Sequence, residues 1–254
     1  MSENIDEIRN LYDKRITSTK DTILAAGQWE SKDYVPLICE EICQKINLKK
    51  SDIVLELGCG SGVLGNWING RCSFYVGLDI SFQMLMAFLK QPNSQKIINL
   101  IQSITGKVPL HDDHFDITIM NGVSMYLNQC QLEETLREME RVTRRKGIIF
   151  IGENIVPENF QWELVWFQNL SNSKQRIARQ YIKFRKLLAQ INPKLAGKWK
   201  SIHKEIKPEF INKFFEGRGI VIQSNAASYT VKKKILGNNY KGNKRVDFLI
   251  KLDE

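Results

Sequence analysis

The chain has 254 residues, 43% of them hydrophobic and 26% charged, which suits one large soluble domain, or one domain carrying a sizeable insertion. No apolar run approaches the roughly 18 residues that span a bilayer, and the acidic start Met1-Ser2-Glu3-Asn4-Ile5-Asp6-Glu7 lacks the pattern of a secretory signal. The net charge of +9 is uneven: residues 171–213 hold twelve Lys/Arg against Glu205 and Glu209, a local +10 that leaves −1 for the rest. Five cysteines, an odd number without paired spacing, point to reduced thiols and a cytoplasmic location. Cys39 and Cys43 share a helix face, but a lone pair without further ligands reads as core, so no metal is expected.

In chain order, Ile5, Ile8, Leu11 and Tyr12 predict a helix over residues 3–16. Ser31 is placed to cap a second helix that runs to about Asn47, buried through Tyr34, Leu37, Ile38 and Ile42. Strands follow at 52–57, 73–78, about 96–101, 115–120 and 147–151, with helices between them from Ser61, from Ser81 and over 131–145. Leu132, Leu136, Met139 and Val142 line one face of the last of these helices. The alternation indicates a parallel sheet covered on both faces. It stops at Pro157, where about fifty residues of helical character begin. Pro208-Glu209-Phe210 then opens a last crossover helix, and strands at 220–222 and 246–250 close the chain. Gly237 to Lys244 between them is rich in turn formers and predicts an antiparallel hairpin.

The most informative stretch is Val54-Leu55-Glu56-Leu57-Gly58-Cys59-Gly60-Ser61-Gly62: a buried strand, a glycine loop, then a helix. Glycines let backbone approach a ligand where a Cβ would collide, and a helix N-terminus favours an anionic group. Glu56 ends the first strand and Asp79 ends the second, where a carboxylate can accept both hydroxyls of a ribose. Asp112, Asp113 and Phe115-Asp116 fall between the third loop and the fourth strand. The two aspartates read as a solvated turn and Asp116 as a structural residue.

With these motifs in this order, residues from about 31 to 155 and 208 to 252 resemble the class I S-adenosylmethionine-dependent methyltransferases, in particular their small-molecule, type 11-like members. Val54 to Gly62 looks like the first motif of that family and Gly77-Leu78-Asp79-Ile80-Ser81 like its ribose-binding turn. Val108 to Asp116 looks like its leucine-proline-phenylalanine segment. The resemblance implies an α/β fold: a doubly wound, mostly parallel seven-stranded sheet with an antiparallel last strand, plus a helical insertion. The implied division is an N-terminal helical cap at 1–50, a methyltransferase domain at 51–157 and 208–254, and a basic helical insertion at 158–207.

S-adenosylmethionine is the implied cofactor and S-adenosylhomocysteine its product. Gly58, Cys59, Gly60 and Gly62 would form the cradle, with Glu56 attracting the ammonium group. Asp79 would bind the ribose diol, and Ile80 and Met84 would pack on the adenine. Many members hold the adenine amino group with an aspartate after the third strand. Ser103 stands there in this chain, so that contact is missing or is made by backbone at Ile104. Asn121 would approach the methionine carboxylate or the methyl group. Bland rivals stand beside these roles: Glu56 as a cap on backbone amides, Met84 as core and Asn121 as the end of a strand.

Methyl transfer from a sulfonium is an in-line displacement that alignment alone can accelerate, although an acceptor hydroxyl or ammonium must lose a proton. Glu153 and His203 are the candidate bases, with His111 a third; Tyr12, Trp29 and Tyr126 are candidates for the substrate side. Apolar residues Ile177, Tyr181, Phe184, Leu188 and Ile191 share a helix face in the insertion, with cations mostly off it. That suggests a lid that attracts a small acidic substrate, or a lysine-rich solvated face. No recognised RNA-binding module accompanies the patch, which favours a small molecule over nucleic acid. The alternatives are a methyltransferase of RNA, peptide or carrier-bound substrates, and a non-catalytic S-adenosylmethionine-binding partner protein. The oligomeric state is not legible.

Overall fold

The computed structural model describes residues 2–19, 21–25, 32–91, 99–155, 204–237, 240 and 245–254. Helices α1 (Ser2–Ser18), α2 (Thr22–Ala25) and α3 (Val35–Lys45) lead into strand β1 (Ile53–Leu57). Then come α4 (Val63–Ile68), β2 (Phe74–Asp79), α5 (Phe82–Leu89), β3 (Asn99–Gln102) and β4 (Phe115–Asn121). Helix α6 (Gln129–Val142) runs directly into β5 (Thr143–Asn154). The chain closes with α7 (Pro208–Phe214), β6 (Gly219–Asn225), α8 (Ala227–Leu236) and β7 (Val246–Leu252). None of the described helices is long and apolar enough to cross a membrane.

The seven strands form one sheet in the order β3-β2-β1-β4-β5-β7-β6. Pairings from β3 to β5 are parallel, and β7 runs antiparallel to both β5 and β6. This is the expected doubly wound sheet with its antiparallel strand. The chain builds outward from β1 through β2 to β3, then returns to place β4 on the other side of β1. That reversal opens a crevice at the carboxyl ends of β1 and β4, where such sheets bind ligands.

Period-two alternation sends Leu55 and Leu57 to one face, where they pack with Leu132, Leu136, Met139 and Val142 of α6 and with Phe214 and Phe215. Val54, Tyr75, Ile117 and Ile119 point to the other face and meet Ile38 and Ile42 of α3, Phe88 of α5 and Val231 of α8. Each large side chain so buried is worth about 1.5–3 kcal/mol. Helix α6 starts at Gln129, two residues before the expected start, where Asn128 and Gln131 form a reciprocal capping box, each accepting the other's backbone N–H, at 2.9 and 2.8 Å.

Several local expectations change. Leu37 is exposed on α3 instead of buried, and Ser31 lies outside the described residues. Cys39 and Cys43 are buried free thiols in the core beside Ile42. The two closing strands do pair antiparallel, but no tight hairpin joins them, because α8 intervenes and buries Ala227, Tyr229 and Val231. Helix α6 ends at Val142, three residues short of the predicted end, and β5 takes over at Thr143. Nearly all of the basic segment, residues 156–203, lies outside the described residues. The described chain leaves at Ile155 and returns at Lys204 to Ile206, whose backbone N–H groups donate to Met125 (2.5 Å, from Lys204) and Ile155 (2.7 Å, from Ile206).

Candidate active site

At the β1/β4 reversal lies a cavity of about 450 Å³, lined by Glu56, Gly58, Cys59 and Gly60 of the first loop and by Asp79, Ile80 and Met84 beyond β2. Ser103 and Ile104 after β3 and Asn121 at the end of β4 join them, and Tyr12 and Tyr126 close another side. The volume falls within the range of about 300–1,000 Å³ common for small-molecule sites.

The loop is built by hydrogen bonds that consume its own amides. Gly58 and Cys59 both donate to the Leu78 carbonyl, at 2.6 and 3.0 Å, and Gly60 donates to Asp79 Oδ2 at 2.8 Å. These N–H groups are therefore not free for a ligand, and what the glycines supply is shape. Gly60 has φ +53° and nothing within 4 Å of where a Cβ would stand. Gly58 has φ +76°, and a Cβ there would sit 2.2 Å from Val123 Cγ2. Gly62 is a correction: it does not line the cavity, and a Cβ on it would lie 2.1 Å from the Phe88 ring, so it serves the packing of the loop on α5. Helix α4 spans only six residues, which weakens the helix-dipole expectation as well.

Two buried carboxylates face this space. Asp79 accepts from Gly60 and, through Oδ1, from the Ser81 N–H at 2.8 Å; burial pushes its carboxyl up to about 6. Glu56 accepts from the Tyr75 hydroxyl at 2.6 Å, and burial pushes it up to about 8. Lining the cavity with few donors around them, both acids keep lone pairs for positive charge or hydrogen-bond donors. Asn121 adds a buried Oδ1 with no hydrogen-bond partner among the described residues, an acceptor that a ligand donor would satisfy. A Cβ on Gly152 would stand 2.1 Å from that oxygen.

The remaining walls are apolar or already satisfied. Met84 is buried at the cavity, and Ser103 spends its hydroxyl proton on the Lys107 carbonyl at 2.7 Å. The Tyr12 and Tyr126 rings meet edge to face, with centroids 5.7 Å apart. Helix α1 is tied over the site by Asp13, which accepts from the Ser81 hydroxyl, and Ser61 donates to the Thr22 carbonyl at 2.7 Å. Sequence reasoning missed Ile5 and Ile8 of α1, Val123 and Leu127 after β4, and Gln131, Glu134 and Thr135 of α6, all of which line the cavity. The helical spacing of Ile5 and Ile8 announced only a core face, which is what helical periodicity reports whether the partner is protein or ligand.

The candidate bases fall elsewhere. Glu153 does not line the cavity. It sits with φ +60° at an irregularity in the β5/β7 register, and its side chain accepts from Ser228 N–H at 3.1 Å and pairs with Arg245 at 3.4 Å. His111 is exposed on the loop before β4 and does not line the cavity either, while His203 and Trp29 lie outside the described residues.

Residues 55–151 match the family model described as a methyltransferase domain. An uncharacterised methyltransferase of Schizosaccharomyces pombe is 29% identical over 127 residues, 47% of this chain and 48% of that protein, so the match spans about half the length of that relative. A demethylmenaquinone methyltransferase of a Mycobacterium species is 25% identical over 185 residues, covering 70% of this chain and 73% of its own. Among solved structures, a phosphoethanolamine N-methyltransferase of Haemonchus contortus, in complex with phosphoethanolamine and S-adenosylhomocysteine, shares the fold. Its TM-score is 0.69 at 12% identity, over 98% of this chain and 49% of that one. The sheet order, the glycine loop with the carboxylates of β1 and β2, and the match over residues 55–151 together support a class I S-adenosylmethionine-dependent methyltransferase domain.

Proposed function

We propose that this chain binds S-adenosylmethionine in the cavity and transfers its methyl group to an oxygen or nitrogen of a small acidic metabolite. The observation that carries the reading is the pairing of Glu56 and Asp79 across an otherwise largely apolar space, with Gly60 leaving room beside them. Glu56 would draw the ammonium group of the methionine end. Asp79 keeps lone pairs for the ribose hydroxyls after accepting two backbone N–H groups. Ile80 and Met84 supply apolar contact for the adenine, with the backbone at Ile104 beside it. Asn121 offers its orphan oxygen at the methionine end.

When bound, S-adenosylmethionine supplies an electrophilic methyl group on a sulfonium. The residues of this chain contribute alignment and exclusion of water, with Tyr12, Tyr126 and the apolar residues of α1 forming the wall that does so. Neither Glu153 nor His111 lines the cavity, so neither is given the role of base. The acidic character of the acceptor rests on the +10 charge of residues 171–213. It is supported by the chain leaving at Ile155 and re-entering at Lys204 against Met125, the neighbour of cavity residue Tyr126.

Incubation with methyl-labelled S-adenosylmethionine and a metabolite extract tests the whole reading. It is expected to yield a labelled small molecule retained on an anion exchanger. Label found only in RNA or protein would overturn the acceptor class, and no binding of the cofactor by calorimetry would overturn the activity.

A further inference from the structure

Beneath the glycine loop, Tyr75 reaches the Glu56 carboxylate through a space that two glycines leave open. Tyr75 lies on β2, fully buried, with its ring edge-on to Phe88 at 6.1 Å between centroids. Glu56 is the register partner of Gly77, two residues further along β2 on the same face as Tyr75. A Cβ on Gly77 would stand 3.1 Å from the Tyr75 hydroxyl, and one on Gly65 of α4 would stand 2.4 Å from it. Neither glycine has the positive φ that would explain it by backbone conformation. Gly65 provides room for a phenol to extend up the strand and donate to Glu56 Oε2 at 2.6 Å, and Gly77, where a Cβ would first meet Cys59 Sγ at 2.8 Å and Leu100 at 2.9 Å, borders the same space. No other hydrogen bond holds that carboxylate among the described residues.

We propose that Tyr75 is a positioning residue for cofactor binding: by holding Oε2 of Glu56 it leaves Oε1 to the cavity, where the ammonium group of the cofactor is received. The proposal rests on the reading of Glu56 given above. A buried phenol needs a polar partner, and a buried carboxylate needs a donor to carry charge at all. The titratable groups that face Glu56 are Tyr75 and Asp79 of β2, Cys59 of the loop and Cys39 of α3, and none of them is a cation. Tyr75 is thus the one protein group among them that favours the charged form, by hydrogen bonding, against burial and Asp79.

Calorimetry on the full chain with S-adenosylhomocysteine and with its α-deamino analogue separates positioning from packing. Tyr75→Phe is expected to weaken S-adenosylhomocysteine about tenfold near neutral pH and to leave the analogue within about twofold. The pH of tightest binding is expected to move up, because Glu56 loses the donor that eases its ionisation. Equal weakening of both ligands overturns the proposal, as does an affinity and pH profile equal to wild type. If the wild type binds but Glu56→Gln leaves S-adenosylhomocysteine affinity unchanged, the reading of Glu56 fails and the proposal with it. Should the phenylalanine variant not fold, Tyr75→3-fluorotyrosine keeps the shape and strengthens the donor. It is expected to tighten S-adenosylhomocysteine selectively, and no change would overturn the proposal.

Discussion

Two pairs of buried carboxylates stand at the carboxyl edge of one sheet, and they have opposite uses. Glu56 and Asp79, at the ends of β1 and β2, have a single phenol and two loop amides for partners, and both line a cavity. Glu153 and Asp247, at the ends of β5 and β7, are enclosed by partners. Asp247 accepts from the Glu153 and Ala227 amides at 2.9 and 3.0 Å and from Lys45 at 2.6 Å, while Glu153 accepts from Ser228 and pairs with Arg245. Ala227 and Ser228 open α8, whose N-cap Ala226 has no side chain to offer, so the second pair caps that helix from across the sheet. Burial raises the Asp247 carboxyl as it does Glu56 and Asp79, so a raised acid does not by itself mark a site. What separates the pairs is whether the donors around them are complete.

That contrast is broken most severely at Asp247. Asp247→Ala leaves two buried amides without their acceptor and Lys45 without its carboxylate partner, and is expected to cost about 3–5 kcal/mol of stability. Urea denaturation measures it, and the fraction that stays folded should bind S-adenosylmethionine as wild type does. Asp79→Ala is the mirror case: binding should weaken about a hundredfold, equivalent to roughly 2.7 kcal/mol. An unchanged dissociation constant would remove the ribose role. Glu56→Gln should weaken binding about tenfold, since the ammonium keeps an oxygen but loses the charge.

A pH series sharpens the comparison further. Burial raises Asp79 from 3.8 to about 6 and Glu56 from 4.5 to about 8, so the native state holds more protons than the unfolded chain between those values. Stability of the ligand-free protein therefore falls as pH rises from about 4 to 8. Asp247, raised to about 7, adds to the slope below that value, so above about pH 7 it belongs mainly to Glu56, and Glu56→Gln should flatten it there. The smallest effect is expected of Glu153→Gln, which should lower stability modestly through α8 and leave cofactor affinity within about twofold. A large loss of affinity in that variant would bring Glu153 back to the site.

The parts of the site that were legible share one property: each is encoded within a few residues. Gly58 to Gly60 and Asp79 sit at strand ends, and strand ends are set by local pattern, so their arrival at one crevice follows from a parallel sheet alone. Gly62 carries the same glycine signal but answers to Phe88, a contact made 26 positions away in sequence. Tyr75, read along β2, is an ordinary aromatic in an apolar strand, and only the β1/β2 register together with Gly65 and Gly77 gives its hydroxyl a use. The missing hairpin has the same origin. The turn-rich run after Gly237 was visible, whereas α8 depends on caps from β5 and β7.

By itself, then, the sequence determined the alternating strands and helices, the glycine loop and the two carboxylates that flank it. Periodicity and turn chemistry act over spans of a few residues and need no partner to be read. The tertiary structure alone decided which buried acids meet a cavity and which are closed off by amides and cations. It also put the walls of α1 and α6 around the loop and a phenol beneath Glu56. Those outcomes depend on donors brought from distant strands and helices, and no local pattern records them.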